Sequence, residues 1–289
     1  MGRAAETQLA GPHRLLPVAV YPAELEPALA QYRTYVSSRL SEISTELSEL
    51  LVAEQAGELA LARSDWLLPH LQWLMIGEDD GAYGAFGALG RAIDGTSAGY
   101  VHGVDDPSFS GFHRIEYELW RADDLSAASA QTITLQGLVV RLQRLGMVRY
   151  FPDRPTALQN WVLRAHEVLE DAERDTLTGN DDYGSDSAVA SVTADTEATA
   201  ELLHLLTPVI QPRAPKLIGR CERDLARILR VSSAITASQA ISSQTGSVEG
   251  QPVVTLPVGE REQLDSAVGA ALEQLAPISD LIQVGGAQL

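Results

Sequence analysis

Apolar residues recur on a helical period along almost the whole chain. Between Pro22 and Ala56, the residues Leu25, Leu29, Tyr32, Val36, Leu40, Ile43, Leu47 and Leu51 follow one another at spacings of three and four. Such spacing draws a single apolar stripe along a helix about 50 Å long, and a long single-faced helix needs helical partners. Glu24, Glu26, Glu42, Glu46 and Glu49, with Arg33 and Arg39, occupy the other faces and read as a solvated surface. A second helix is predicted over about 58–76, carrying Trp66, Leu67, His70, Trp73 and Leu74. His70 falls on or near its apolar face and reads as a core or interface histidine rather than a ligand. Gly81, Gly84, Gly87 and Gly90 then recur every third residue. Each interior glycine weakens a helix by about 1 kcal/mol relative to alanine, so this stretch predicts a bent helix or two short ones, with Tyr83, Phe86, Leu89 and Ile93 as its stripe.

Residues 95–107 read as a loop ending in Asp105-Asp106-Pro107, a helix-start signal. The next helix carries Phe112, Ile115 and Leu119 at i, i+3 and i+7. Small and polar residues from Ala122 to Ala128 mark a boundary. Beyond it, apolar stripes predict helices through Leu135–Leu145, Leu158–Ala172, Val189–Ile210, Leu217–Ile235 and Leu264–Ile278. Turn clusters at 179–187 and 242–257 separate the second of these from the third and the fourth from the fifth. Strand alternation and Gly-rich strand-to-helix loops are absent from the pattern, so the expectation is an all-α protein and not a nucleotide-binding α/β fold. The expected organisation is an extension over 1–19, one helical unit over 20–124 and a second over 125–289.

Charge changes the picture by exclusion. With 39 acidic and 21 basic residues, the formal net charge is -18, which argues against nucleic acid and against anionic membrane surfaces. The same field favours solubility and attracts cations. The single cysteine, Cys221, rules out intrachain disulfides and Cys-rich metal sites, so any metal must be held by histidine, carboxylate and water. No apolar run approaches the roughly 20 residues that cross a membrane, so no membrane insertion is expected. The first residues, Met1 to Glu6, do not form a charged segment followed by an apolar one; this fits either a cytoplasmic protein or one whose signal has been removed.

Candidate chemistry concentrates at His113 and Glu116. An imidazole and a carboxylate one helical turn apart can share an ion, or can be a hydrogen-bonded histidine beside a solvated glutamate. Asp80 and Asp94 flank the glycine-rich stretch, with Glu78 and Asp79 just ahead. On one straight helix Asp80 and Asp94 would stand about 21 Å apart, so they meet only if the glycines fold the segment back; otherwise they mark a helix start and stop. His166, Glu167, Glu170 and Asp171 form a second candidate group, equally readable as a solvated acidic face.

The run Gly111-Phe112-His113-Arg114-Ile115-Glu116, followed by Leu119-Trp120, resembles the GFHRIE-x-x-LW signature of the imelysin-like (M75 peptidase) family, in its EfeO/EfeM iron-uptake branch. Ala85-Phe86-Gly87 and Ala92-Ile93-Asp94 match the same branch, and the likeness extends over about residues 20–285. The resemblance implies a pair of four-helix bundles in the cell envelope or periplasm, acting with a membrane permease and a haem peroxidase of an iron-uptake system. It implies metal ligands at His113, Glu116, Asp94 and Asp80. Where the family often has Glu-x-x-Glu, this chain reads Gly77-Glu78-Asp79-Asp80, so Glu78 or Asp79 would stand for the first glutamate. A further acidic ligand would fall near Glu170 or Asp171. An oxygen-rich shell with one imidazole suits iron first, and also Mn²⁺, Ca²⁺ or Zn²⁺. The peptidase label does not follow from these residues, because neither His113 nor His166 belongs to a His-Glu-x-x-His motif. The expectation is a metal-binding protein and not an enzyme, with a metallopeptidase and an acidic-polysaccharide binder as rivals.

Overall fold

The computed structural model describes residues 18–78, 84–242 and 256–285. Helix α1 spans Pro22–Ala56, opens on a proline at its first turn with Glu24 bonded back to the Tyr21 N–H (3.0 Å), and stops at Gly57, whose φ of 80° ends the helix in the left-handed region. Its stripe is buried from Leu25 to Leu47 as the spacing predicts. At the last turn Leu50 and Ala53 take the inward place, and Leu51 lies at the edge. The steps of the expected stripe average about 3.7 residues, slightly more than the 3.6 of a helical turn, and the helix corrects by a step of three from Leu47 to Leu50.

Helices α2 (Leu59–Leu74), α3 (Ala88–Asp94), α4 (Phe112–Tyr117) and α5 (Leu125–Leu145) follow, the fourth running on into a wide π-helical turn over Glu118–Ala122. After the short α6 (Met147–Tyr150) come α7 (Pro155–Asp171), with a second π turn over Ala172–Thr176, then α8 (Ala188–Ile210), α9 (Leu217–Ser242), α10 (Val258–Leu275) and α11 (Pro277–Leu281). The fold is all-α, as the periodicity predicts. Strand β1 (Val18–Val20) pairs in parallel with β2 (Ile282–Val284), a feature too short to leave a pattern in the sequence.

Helix α1 packs on α2 and α5, and α5 also covers α3 and α4. Contacts therefore cross the boundary expected near residue 124, because the stripe Leu135, Val139 and Leu142 is buried against elements that precede it. In the second half α7 packs on α8 and α10, and α9 on α8 and α10. Helix α8 joins the halves. It touches α1 and α2 as well as α7 and α9, and this explains why its buried residues run nearly all round it, from Val189 to Ile210. Side chains of α2, α3, α4 and the loop ahead of α8 meet in one buried place.

Candidate metal centre

Three elements deliver three ligand atoms. His70 stands on α2, with its ring against Trp66 and Phe112 at centroid distances of 4.7 and 5.2 Å. Asp94 is the last residue of α3, and His113 is the second of α4. The three residues are 4%, 6% and 5% exposed respectively. Among the described residues they form a group in which one ligand atom from each lies within 4.8 Å of the others. Asp94 Oδ1 stands 3.2 Å from His70 Nε2 and 3.6 Å from His113 Nε2.

Gly111 is what allows this approach. Its φ of 87° is one that L side chains rarely adopt, and a Cβ there would come within 2.0 Å of the Ile93 carbonyl oxygen and 2.6 Å of that of Ala92. The start of α4 thus lies directly on the end of α3. Ser110 Oγ donates to the Ala92 carbonyl at 2.8 Å, and Trp66 Nε1 donates to that of Phe112 at 3.0 Å. The buried apolar face Phe112, Ile115 and Leu119 seats the helix, leaving His113 and Glu116 on its neighbouring face.

Glu116 is 1% exposed and serves His113 from behind. Its Oε2 faces His113 Nδ1 at 3.1 Å. Its Oε1 accepts from Tyr183 N (2.9 Å), Ser185 N (3.0 Å) and Ser185 Oγ (2.6 Å). A carboxylate on Nδ1 fixes the ring and leaves Nε2 as the lone-pair donor, the arrangement that metal-bound histidines commonly have. The residues present fit an ion: beyond their close approaches to one another and to His113 Nε2, the ring nitrogens of His70 and Oδ1 of Asp94 are buried without a hydrogen bond. Such groups are costly unless something else satisfies them.

The field in the site agrees. Burial alone would lower the His113 pKa from 6.5, yet the Asp94, Glu116 and Asp181 charges outweigh it and lift it to about 9. Asp181 is itself pushed up by burial, against the pull of His113 and a hydrogen bond from Thr176. This centre favours positive charge.

The chain is similar to EfeO. Iron uptake system component EfeO of Escherichia coli K12 is 23% identical over 201 residues, which cover 70% of this chain and 52% of the relative. The same figures hold for EfeO of E. coli O1:K1 and of Shigella flexneri. The chain therefore spans about half the length of the curated relatives it matches. No family model matches it. The similarity to EfeO is distant.

The described ones among the other expected ligands have other partners. Glu78, 2% exposed, accepts the Ala85 N–H at 2.7 Å, ahead of α3. Asp80 and Asp79 lie outside the described residues. Asp171 stands beside Arg174 (2.9 Å) and Arg164 (3.5 Å), in a group of alternating charges on α7. His166 and Glu170 face each other at 3.3 Å on the solvent side of that helix.

Sequence reasoning placed His70 in the core and the 179–187 cluster in a turn. The structure brings both to His113: His70 from α2, and from the turn Asp181, Tyr183 and Ser185, the Tyr183 ring lying 5.4 Å from that of His113. One signal for His70 was available, since it is the polar residue one turn from Trp66 on the same buried face. For the turn, paired aspartates beside an aromatic between two glycines were the signal.

Proposed function

We propose that this chain is a metal-binding component of an EfeO-type iron-uptake system, with the ion as its cargo. His70, Asp94 and His113 are its ligands, and Glu116 orients His113. The observation that carries this reading is the convergence of three buried ligand atoms from three helices, with His70 and Asp94 otherwise unsatisfied. Two imidazoles and a carboxylate suit iron, zinc or manganese, and the second imidazole moves the donor set away from Ca²⁺. The similarity to EfeO supports iron among these. With that reading come an imelysin-like pair of bundles, a place outside the cytoplasm, and a permease and peroxidase as partners.

Binding is a better reading than peptide hydrolysis. Both oxygens of Glu116 are engaged by His113 and the 183–185 loop, so Glu116 is not free to act as a general base. The cavity that reaches His70 and His113 measures about 10 Å³, room for a water-sized group and not for a peptide. Glu78 and Asp171 are assigned structural roles, accepting the Ala85 N–H and pairing with arginines.

Calorimetric titration of metal-stripped protein with Fe²⁺ or Zn²⁺ tests the proposal. Wild type should bind one ion, and His113→Ala or His70→Ala should weaken binding by more than about 100-fold, because even an outer-shell partner is worth 10–100-fold. Unchanged binding in both variants would remove the assignment.

A further inference from the structure

The loop between α7 and α8 brings charge to the centre as well as support. Its second half is fixed to α4: Tyr183 and Ser185 bond to Glu116, Arg121 Nε donates to the Tyr183 carbonyl at 3.1 Å, and a Cβ on Gly184 would lie 2.8 Å from that of Trp120. This anchoring holds Asp181 in the wall of the cavity that His70 and His113 also line. Thr176 Oγ1 donates to Asp181 Oδ2 at 2.7 Å and fixes the carboxylate. Asp182 lines the same cavity, with its Oδ1 accepting the Gly184 N–H at 2.6 Å. An acidic turn alone would mean little. Here the same cavity is lined by His70, 4% exposed, whose Nδ1 lacks a hydrogen-bond partner.

We infer that Asp181 makes this site selective for trivalent over divalent cations, an inference that rests on the metal-binding reading above. Asp94, Glu116, Asp181 and Asp182 set four carboxylates about two imidazoles, and the described residues lining the cavity include no lysine or arginine. A trivalent ion leaves less uncompensated negative charge in this largely buried place than a divalent ion does, and net charge there is costly. The attraction of each carboxylate grows in proportion to the charge of the ion. At an effective dielectric of about 20 and separations of about 5–10 Å, one extra unit of ion charge is worth on the order of tenfold to a hundredfold in affinity per carboxylate.

The probes are Ga³⁺, which is redox-inert, and Zn²⁺, each presented from a nitrilotriacetate buffer. Asp181→Asn keeps the size and an acceptor for Thr176, and should reduce the Ga³⁺/Zn²⁺ affinity ratio by about tenfold or more. Asp181→Glu should retain the preference, and Glu170→Gln, on the solvent side of α7, should leave the ratio within about threefold. Equal losses for both ions in Asp181→Asn, no loss, or an equal change in Glu170→Gln would overturn the inference while leaving metal binding intact. If Asp181→Asn does not fold, Asp181→Ser, with a hydroxyl for Thr176, gives the same readout. Wild type that binds neither ion, or His113→Ala that binds both undiminished, removes the metal-binding reading and this inference with it.

Discussion

His113–Glu116 on α4 and His166–Glu170 on α7 are the same idea in sequence: an imidazole and a carboxylate about one helical turn apart. In the structure they differ in kind. The first pair is 6% and 1% exposed in its side chains, meets His70 and Asp94 from two other helices, and is backed by donors from a distant loop. The second is 27% and 57% exposed, on a helix face where Arg164 and Arg174 already balance Glu167, Asp171 and Asp175. Spacing supplies a ligand pair. Burial and the arrival of groups from other elements decide whether the pair holds an ion or only a solvated contact worth a few tenths of a kcal/mol.

The largest expected effect is on ion affinity, where His113→Ala should lose more than about 100-fold and His166→Ala should lose nothing measurable by the same titration. A comparable loss at His166 would break the comparison outright. Next comes the geometry that separates the two pairs. Gly111→Ala must place a Cβ 2.0 Å from the Ile93 carbonyl oxygen at a φ of 87°. It should destabilise the protein by about 3 kcal/mol or more in denaturant melts, and weaken metal binding by pushing α3 from α4. Ala at Gly57, also at positive φ but with nothing within 4 Å, should be milder.

Protonation sharpens the contrast further. With the His113 pKa lifted to about 9, ion binding near neutral pH must displace a proton. Affinity for Zn²⁺ or Mn²⁺ should therefore rise by about tenfold per pH unit between about pH 6.5 and 8 and flatten near 9. The ion-free fold behaves oppositely: a raised histidine pKa contributes stability that is full below about 6.5 and lost as pH rises through about 9. The smallest effect concerns Glu54, a buried carboxylate with no imidazole beside it. Burial pushes its pKa up to about 7 against a 2.9 Å hydrogen bond from Thr132. An acid raised in this way costs stability increasingly as pH climbs from about 4.5 to 7, so Glu54→Gln should stabilise the protein by about 1–2 kcal/mol at pH 8 and hardly at all at pH 4, read by thermal melts.

Much of the fold was legible because a helix announces its buried face every three or four residues. That period gave α1 to the residue and α5 to its stop at Gly146. It says nothing about which faces meet. His70 looked like any core histidine because only the approach of α3 and α4 supplies Asp94 and His113 as neighbours. Asp94 was legible as a candidate through the glycine-rich segment ahead of it, although Gly111, on the partner element, is the glycine whose conformation permits the contact. Tyr183 and Ser185 reach Glu116 across separations of 67 and 69 residues, which no local pattern encodes. Asp171 shows the converse. Its carboxylate was plain in the sequence, and so were Arg164 and Arg174, but helical geometry was needed to see them side by side.

Anomalous diffraction from crystals soaked in Fe²⁺ or Zn²⁺ tests the central claim most directly. The account predicts one strong peak within coordination distance, roughly 2.0–2.2 Å, of His70 Nε2, His113 Nε2 and an oxygen of Asp94. A peak instead at His166 and Glu170, at Asp171, or on Oε2 of Glu116 with His113 turned away would contradict it.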